Sequence, residues 1–373
     1  MVTRPQKIHP SSIETSGIVL AALGHNPTLE DIVVELPGPG EVRVRIVASG
    51  ICHTDLDATR DARACPVLLG HEGAGVVEAV GEGVARPKLG DHVVINWQVK
   101  CGKCRRCVSG RADLCEDIQG TAAPRVYWRA GPLNVLLNAG TFCPFVTVPA
   151  AGAVSIRRDM PLNRAALLGC AVATGIGAVF YTAKVQASEG VAVFGAGGVG
   201  LNVIQGAKIA GASLIIAIDV DDDRLAHAAL LGATHILNNR VDDPVAVVQK
   251  MTAGRGVEHV FEVVGKPALM AQGIDMLARG GALTLVGAAP RDALMSFNPR
   301  QFMSRQQTVQ GCIYGNIDPQ NDLPKFANWY MDGALQLDQL ETASVRLEDV
   351  PKIFAHPEPN HGIRTIIEFN HQL

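Results

Sequence analysis

Val191-Ala192-Val193-Phe194-Gly195-Ala196-Gly197-Gly198-Val199-Gly200 is the stretch on which the reading of this chain turns. Four apolar residues predict a short buried strand, and the glycines that follow have the spacing G-x-G-x-x-G. Gly200 to Ala210 then reads as a helix and Leu214 to Ile218 as a second apolar strand, closed by Asp219. Gly195 would turn the chain, Gly197 would admit a pyrophosphate close to the backbone, and Gly200 would let helix pack on strand. Gly198 and Val199 complete the loop, and the N-terminus of the helix that follows, with its free N–H groups and partial positive charge, suits phosphate. Asp219 would accept hydrogen bonds from an adenosine ribose and repel a 2′-phosphate, which favours NAD over NADP.

Further along, a helix through Arg224 to Leu231 and strands at Val257–Val263 and Ala282–Val286 continue the alternation. Short apolar strands separated by helices predict an α/β fold with a doubly wound parallel sheet. The first third reads differently. Glu41 to Val47 alternates apolar and charged residues, and Gly73–Val80 and His92–Ile95 are further short strands bounded by glycine and proline. The run 116–140 has no period and is expected as a long loop, and 363–369 as an extended end. The simplest organisation inserts a dinucleotide-binding domain, 173–314, between two parts of a β-rich domain, 1–172 and 315–373.

Composition excludes several classes. The chain has 373 residues, 47% hydrophobic and 18% charged, with a formal net charge of −3. No basic excess exists to neutralise phosphates, so neither nucleic acid nor a membrane surface is an expected partner. Residues 1–10 lack the apolar core of a secretory signal, and the chain is expected in the cytoplasm. Residues 165–183 carry no charge but are mostly Ala, Gly and Thr, and are read as one buried helix rather than a membrane span.

Four of the nine cysteines crowd together as Cys101-x2-Cys104-x2-Cys107-x7-Cys115. Four soft ligands on one short loop describe a closed tetrahedral zinc that holds structure rather than doing chemistry, with an iron–sulfur cluster as the chemical rival. A second group is scattered: Cys52-His53-Thr54-Asp55, Gly70-His71-Glu72 and Gly169-Cys170. No spacing rule joins these residues. Taken alone, His71 reads as a satisfied core histidine and Cys170 as an inert buried thiol.

Together, in this order and with Thr174-Gly175 and Gly362-Ile363-Arg364-Thr365, these landmarks resemble the zinc-dependent medium-chain dehydrogenase family, alcohol dehydrogenase branch, nearly end to end. The resemblance implies a GroES-like β-rich catalytic domain beside a Rossmann domain, with two zinc ions per chain and NAD. Cys52, His71 and Cys170 would hold the catalytic zinc, Glu72 would ligate transiently, and Asp55 would orient His71. Thr54 would accept the alcohol proton. His53 and Arg364 would meet the pyrophosphate, Asp219 and Arg224 the ribose, and Val199 and Thr174 the nicotinamide. Val286, Cys312 and Tyr314 complete the expected cofactor contacts. Trp97 would line the substrate pocket and favour primary alcohols.

Two departures stand out. Asp57 occupies the place where several members pass the proton on through histidine, so the proton leaves either through water or through Asp57. His53 stands where many have arginine. The nearest rival reading is a formaldehyde dehydrogenase that needs glutathione or mycothiol, with Arg111, Arg125 and Arg129 as candidates for the adduct's carboxylates. A more distant one is a non-catalytic NAD-binding zinc scaffold. The partners implied are a small alcohol or aldehyde and a second copy of the chain, paired through residues 298–314.

Overall fold

The structure is a computed structural model that describes residues 12–62, 64–121, 123–129, 131–356 and 362–369. The expectation about a leader at residues 1–10 lies outside these. The chain divides into two compact units: residues 1–170, 318–333 and 341–373, and residues 171–317 with 334–340.

The first unit is built on two mostly antiparallel sheets. Its longest strand, Glu41–Ile51, buries Val42, Val44 and Ile46. It pairs with Glu72–Val80, so that Gly50 lies opposite Glu72, and with the C-terminal strand Arg364–Glu368. Ile13–Leu20 and Thr28–Val34 form a hairpin in a second sheet. The stretch expected to be one long loop contributes to that second sheet as well: Val126–Trp128 pairs with Thr28–Val34, and Asn134–Val135 with Val67–Leu68. These segments are too short to show a period, which is why the sequence concealed them.

The second unit is the parallel sheet. Its six strands run in the order His235–Asn238, Leu214–Asp219, Gly190–Phe194, Val257–Glu262, Leu277–Leu285, Thr308–Gly311. The order reverses between Gly190–Phe194 and Val257–Glu262, the point at which such sheets bind ligands beyond their carboxyl ends. Phe194, Ile216, Ile218, Val260 and Leu283 fill its core.

One expectation fails in detail. Residues 165–183 form no single helix but a series: Leu162–Ala166, a 3-10 turn at Leu167–Gly169, Ala171–Gly177 and a π-helical Ala178–Ala183. Cys170, at φ −145°, interrupts the helical path. No single helix among the described residues is long and apolar enough to cross a membrane.

Candidate active site

Three segments of the first unit converge on one point. Cys52 immediately precedes the helix His53–Asp61, His71 and Glu72 open a strand, and Cys170 follows the 3-10 turn at Leu167–Gly169. One ligand atom from each of Cys52, His71, Glu72 and Cys170 lies within 4.8 Å of every other. Asp55, fully buried, ties the segments together. Its Oδ2 accepts the Cys52 N–H at 2.9 Å, and its Oδ1 accepts the Gly70 N–H and faces His71 Nδ1, both at 3.1 Å. With Nδ1 committed to Asp55, Nε2 is the free imidazole nitrogen, as a metal ligand requires.

The chemistry of this group calls for a cation. His71 Nε2 and Glu72 Oε1 are buried, 3.9 Å apart, and neither has a hydrogen-bond partner. The bond between the two thiols holds Cys52 well below its ordinary pKa, against burial and with help from His71; that bond and burial push Cys170 up. Burial opposes a charged His71, but the Asp55 carboxylate and the Cys52 sulfur together more than reverse it. Glu72 is pushed up to about 7 by burial, against the pull of Arg364. Two sulfurs, an imidazole nitrogen and a carboxylate are a suitable zinc donor set.

Arg364 reaches this cluster from the C-terminal strand. It is buried, and its guanidinium is hydrogen-bonded to Glu72 Oε2. Gly50 makes the pair possible, since a Cβ there would stand 2.3 Å from that oxygen and 3.0 Å from the guanidinium. Sequence reading missed the role of Gly50 because it depends on what lies opposite in the sheet.

Thr54 is exposed in the first helical turn. His53 is 80% exposed, with Nε2 3.6 Å from Asp57 Oδ1, an oxygen also bonded by Arg60. Asp57 is therefore already engaged by two basic side chains. Trp97 is half-buried against the apolar core of the first unit. Arg111 pairs with Asp113 at 2.9 Å, Arg125 with Glu41 at 2.6 Å, and Arg129 lies over the Trp128 ring at 4.0 Å.

The local cluster is tighter in sequence and more open to solvent. Cys101, Cys104, Cys107 and Cys115 also bring their sulfurs within 4.8 Å of one another. Cys101 and Cys107 sulfurs are 4.0 Å apart, close to the roughly 3.8 Å edge of a tetrahedron with Zn–S bonds of about 2.3 Å. Backbone N–H groups bond inward to sulfur: Cys101 to Cys115 and Cys104 to Cys101, each at 3.3 Å. Hydrogen bonds from the Glu116 and Cys107 backbone lower the Cys104 thiol to about 6. The loop is wound to hold thiolates, and the set fits zinc.

In the second unit the glycine loop, Asp219, Val286 and Cys312 stand at or just beyond the carboxyl ends of strands of the parallel sheet. Gly195 has φ +99°, a conformation that disfavours a side chain, and a Cβ on Gly200 would lie 1.8 Å from the Gly195 carbonyl oxygen. A Cβ on Gly197 would meet nothing within 4 Å, so its missing side chain leaves an open cradle at the start of helix Gly198–Ala210. Asp219 ends its strand with Oδ2 on the Ala196 N–H at 2.6 Å, beside that cradle. Arg224 lies in the first turn of helix Asp222–Leu231. Val286 and Cys312 follow the ends of their strands, with the Cys312 N–H on the Leu285 carbonyl at 2.9 Å. Val199 and Thr174 are half-buried, and Tyr314 is buried.

Residues 38–158 match the family model of the alcohol dehydrogenase GroES-like domain, and residues 198–332 that of the zinc-binding dehydrogenases. The chain is 35% identical to S-(hydroxymethyl)glutathione dehydrogenase of Paracoccus denitrificans, over 93% of this chain and 98% of the relative. It is 36% identical to class-3 alcohol dehydrogenase of Cereibacter sphaeroides, over 91% and 96%. Among solved structures, benzyl alcohol dehydrogenase of Acinetobacter calcoaceticus matches with a TM-score of 0.89 and 30% identity, covering 96% of this chain and 100% of that one. The buried ligand set, the cysteine loop and the glycine cradle therefore belong to a member of the zinc-dependent medium-chain alcohol dehydrogenase family, an oxidoreductase of alcohols and aldehydes that uses NAD and zinc.

Proposed function

We propose that this enzyme interconverts free primary alcohols, aliphatic, allylic or aryl, with their aldehydes. Residues 1–172 and 315–373 act as the catalytic domain and 173–314 as the NAD-binding domain. Cys52, His71 and Cys170 hold the catalytic zinc with Glu72 in reserve, and Cys101, Cys104, Cys107 and Cys115 hold the structural one. Zinc supplies Lewis acidity toward the substrate oxygen, and NAD supplies the hydride acceptor. Asp55 fixes the ring of His71 and the backbone of Cys52, so the ligand set is organised in advance. Thr54 takes the alcohol proton. His53 faces the pyrophosphate, and the proton leaves through water, since Asp57 is engaged by His53 and Arg60. Asp219 selects NAD over NADP by placing a carboxylate where a 2′-phosphate would have to go.

The observation that carries the choice of free alcohols is the pairing of Arg111 with Asp113 and of Arg125 with Glu41. A glutathione adduct needs cations for its carboxylates, and these two already have partners. The thiol-dependent reading draws its support from relatives that carry S-(hydroxymethyl)glutathione dehydrogenase as their name. The rise in NADH absorbance decides between them, with benzyl alcohol and 1-butanol compared with formaldehyde given with and without thiol. Turnover of the free alcohols without thiol is expected; turnover of the thiol adduct alone would replace this reading with the other.

We also propose a cytoplasmic homodimer. Nine free cysteines, six of them in the two ligand sets, suit a reducing compartment. Thr308–Gly311 ends the strand order of the parallel sheet, and the segment around it exposes Leu294, Phe297, Met303 and Ile313. A second copy pairing there would continue the sheet and cover those side chains. A monomeric mass in solution would refute it.

A further inference from the structure

Two uncommon backbone conformations meet in the second unit. Tyr314, Gly315 and Asn316 have φ values of +53°, +66° and +53°, a left-handed turn that only glycine adopts freely. A buried tyrosine in that region is strained and persists only where its surroundings over-determine it. Opposite it, helix Ala171–Gly177 widens into the π-helical turn Ala178–Ala183, closed by Lys184 at φ +57° and by the Val185 N–H on the Val179 carbonyl at 3.1 Å. Such π turns are rare and concentrate at functional sites.

The contact between the two is glycine on glycine. A Cβ on Gly315 would stand 2.2 Å from the Ala173 carbonyl oxygen and 2.7 Å from the Gly177 Cα. A Cβ on Gly177 would stand 2.5 Å from the Gly315 carbonyl oxygen. Thr182 hydroxyl donates to Cys312 sulfur at 3.3 Å, and the Ile313 N–H to Asn316 Oδ1 at 3.4 Å, pinning both ends. The other side of the helix is equally close. A Cβ on Gly175 would lie 2.6 Å from the Val199 carbonyl oxygen in the glycine loop.

We infer that helix Ala171–Gly177 is a spacer, seated by Gly175 on the phosphate loop and by Gly177 on the left-handed turn, that fixes the distance between the pyrophosphate and nicotinamide ends of the cofactor site. Gly175, Gly177, Gly315 and Asn316 are positioning residues in this account. Each side chain or backbone they set, Val199, Thr174, Cys312 and Tyr314, is one that the family resemblance assigns to the cofactor, so the inference rests on the NAD-binding reading of this unit. A methyl group at Gly177 pushes the turn away from the helix and moves Cys312–Tyr314 relative to the glycine loop. Replacing Asn316 by glycine leaves the turn sterically free but removes its pin.

The test compares NADH with ADP-ribose, which keeps the adenosine and pyrophosphate and lacks the nicotinamide. Dissociation constants are measured by fluorescence titration for NADH and by calorimetry for ADP-ribose, on zinc-loaded wild type, Gly177→Ala and Asn316→Gly. NADH binding is expected to weaken about tenfold in Gly177→Ala, and in the same direction but less in Asn316→Gly, while ADP-ribose binding holds. Equal weakening of both ligands, or unchanged NADH binding in a folded variant, would overturn the spacer role. If Gly177→Ala does not fold, Asn316→Gly decides alone. A wild type that binds neither ligand would refute the cofactor reading itself, a different failure from a wild type that binds both while the variants match it.

Discussion

The two proposed zinc-ligand groups of the first unit reach the same donor density by opposite routes. Cys101, Cys104, Cys107 and Cys115 lie within fifteen consecutive residues, on a half-exposed loop whose own backbone N–H groups turn toward the sulfurs. Cys52, His71 and Cys170 are scattered across more than a hundred residues and are brought together by a sheet pairing, a helix start and a broken helix. The first group needs only a short loop and organises a piece of surface. The second needs the whole unit folded, and its buried orphan atoms, His71 Nε2 and Glu72 Oε1, mark where stability yields to function.

That contrast can be broken by substitution. Cys170→Ser should cost about 10³-fold in turnover, since Lewis-acid stabilisation is worth several kcal/mol, with little change in the circular-dichroism spectrum. Thr54→Val removes a proton acceptor from an exposed helical turn and should lower alcohol oxidation about 10²-fold with NADH binding retained. If most activity survives, the relay through Thr54 is wrong. Asp55→Asn should weaken zinc binding at the buried set about 10- to 100-fold, read by competition with a chelator, because His71 and Cys52 lose their common anchor. Cys104→Ser belongs to the other group and should show the opposite profile. Its melting temperature should fall by about 5 °C, while turnover per folded molecule stays within about twofold of wild type.

The sequence was most readable where one physical rule acts locally. The glycine loop is legible because Gly195 must adopt φ +99° and Gly200 must clear a carbonyl, both within six residues. The cysteine loop is legible because a closed tetrahedral site can be wound from one short segment. The buried site was legible only through resemblance, since nothing in the spacing of Cys52, His71 and Cys170 encodes the pairing of Gly50 with Glu72. The same holds for Arg364, assigned to the pyrophosphate on family grounds and found bonded to Glu72. The short strands in 126–135 are below the length at which alternation can be seen. The helix expected over 165–183 breaks at Cys170, where the ligand's placement overrides helical propensity.

The central claim is that the dispersed buried set and the local loop are separate zinc sites, of which the first alone does chemistry. Zinc content by mass spectrometry, measured on purified wild type, Cys170→Ser and Cys104→Ser alongside alcohol-dependent NADH formation, tests it directly. Two zinc per chain are expected in wild type, one for each ligand group, and one in each variant, with activity lost in Cys170→Ser and kept in Cys104→Ser. Two zinc or full activity in Cys170→Ser, or loss of activity in folded Cys104→Ser, would contradict it.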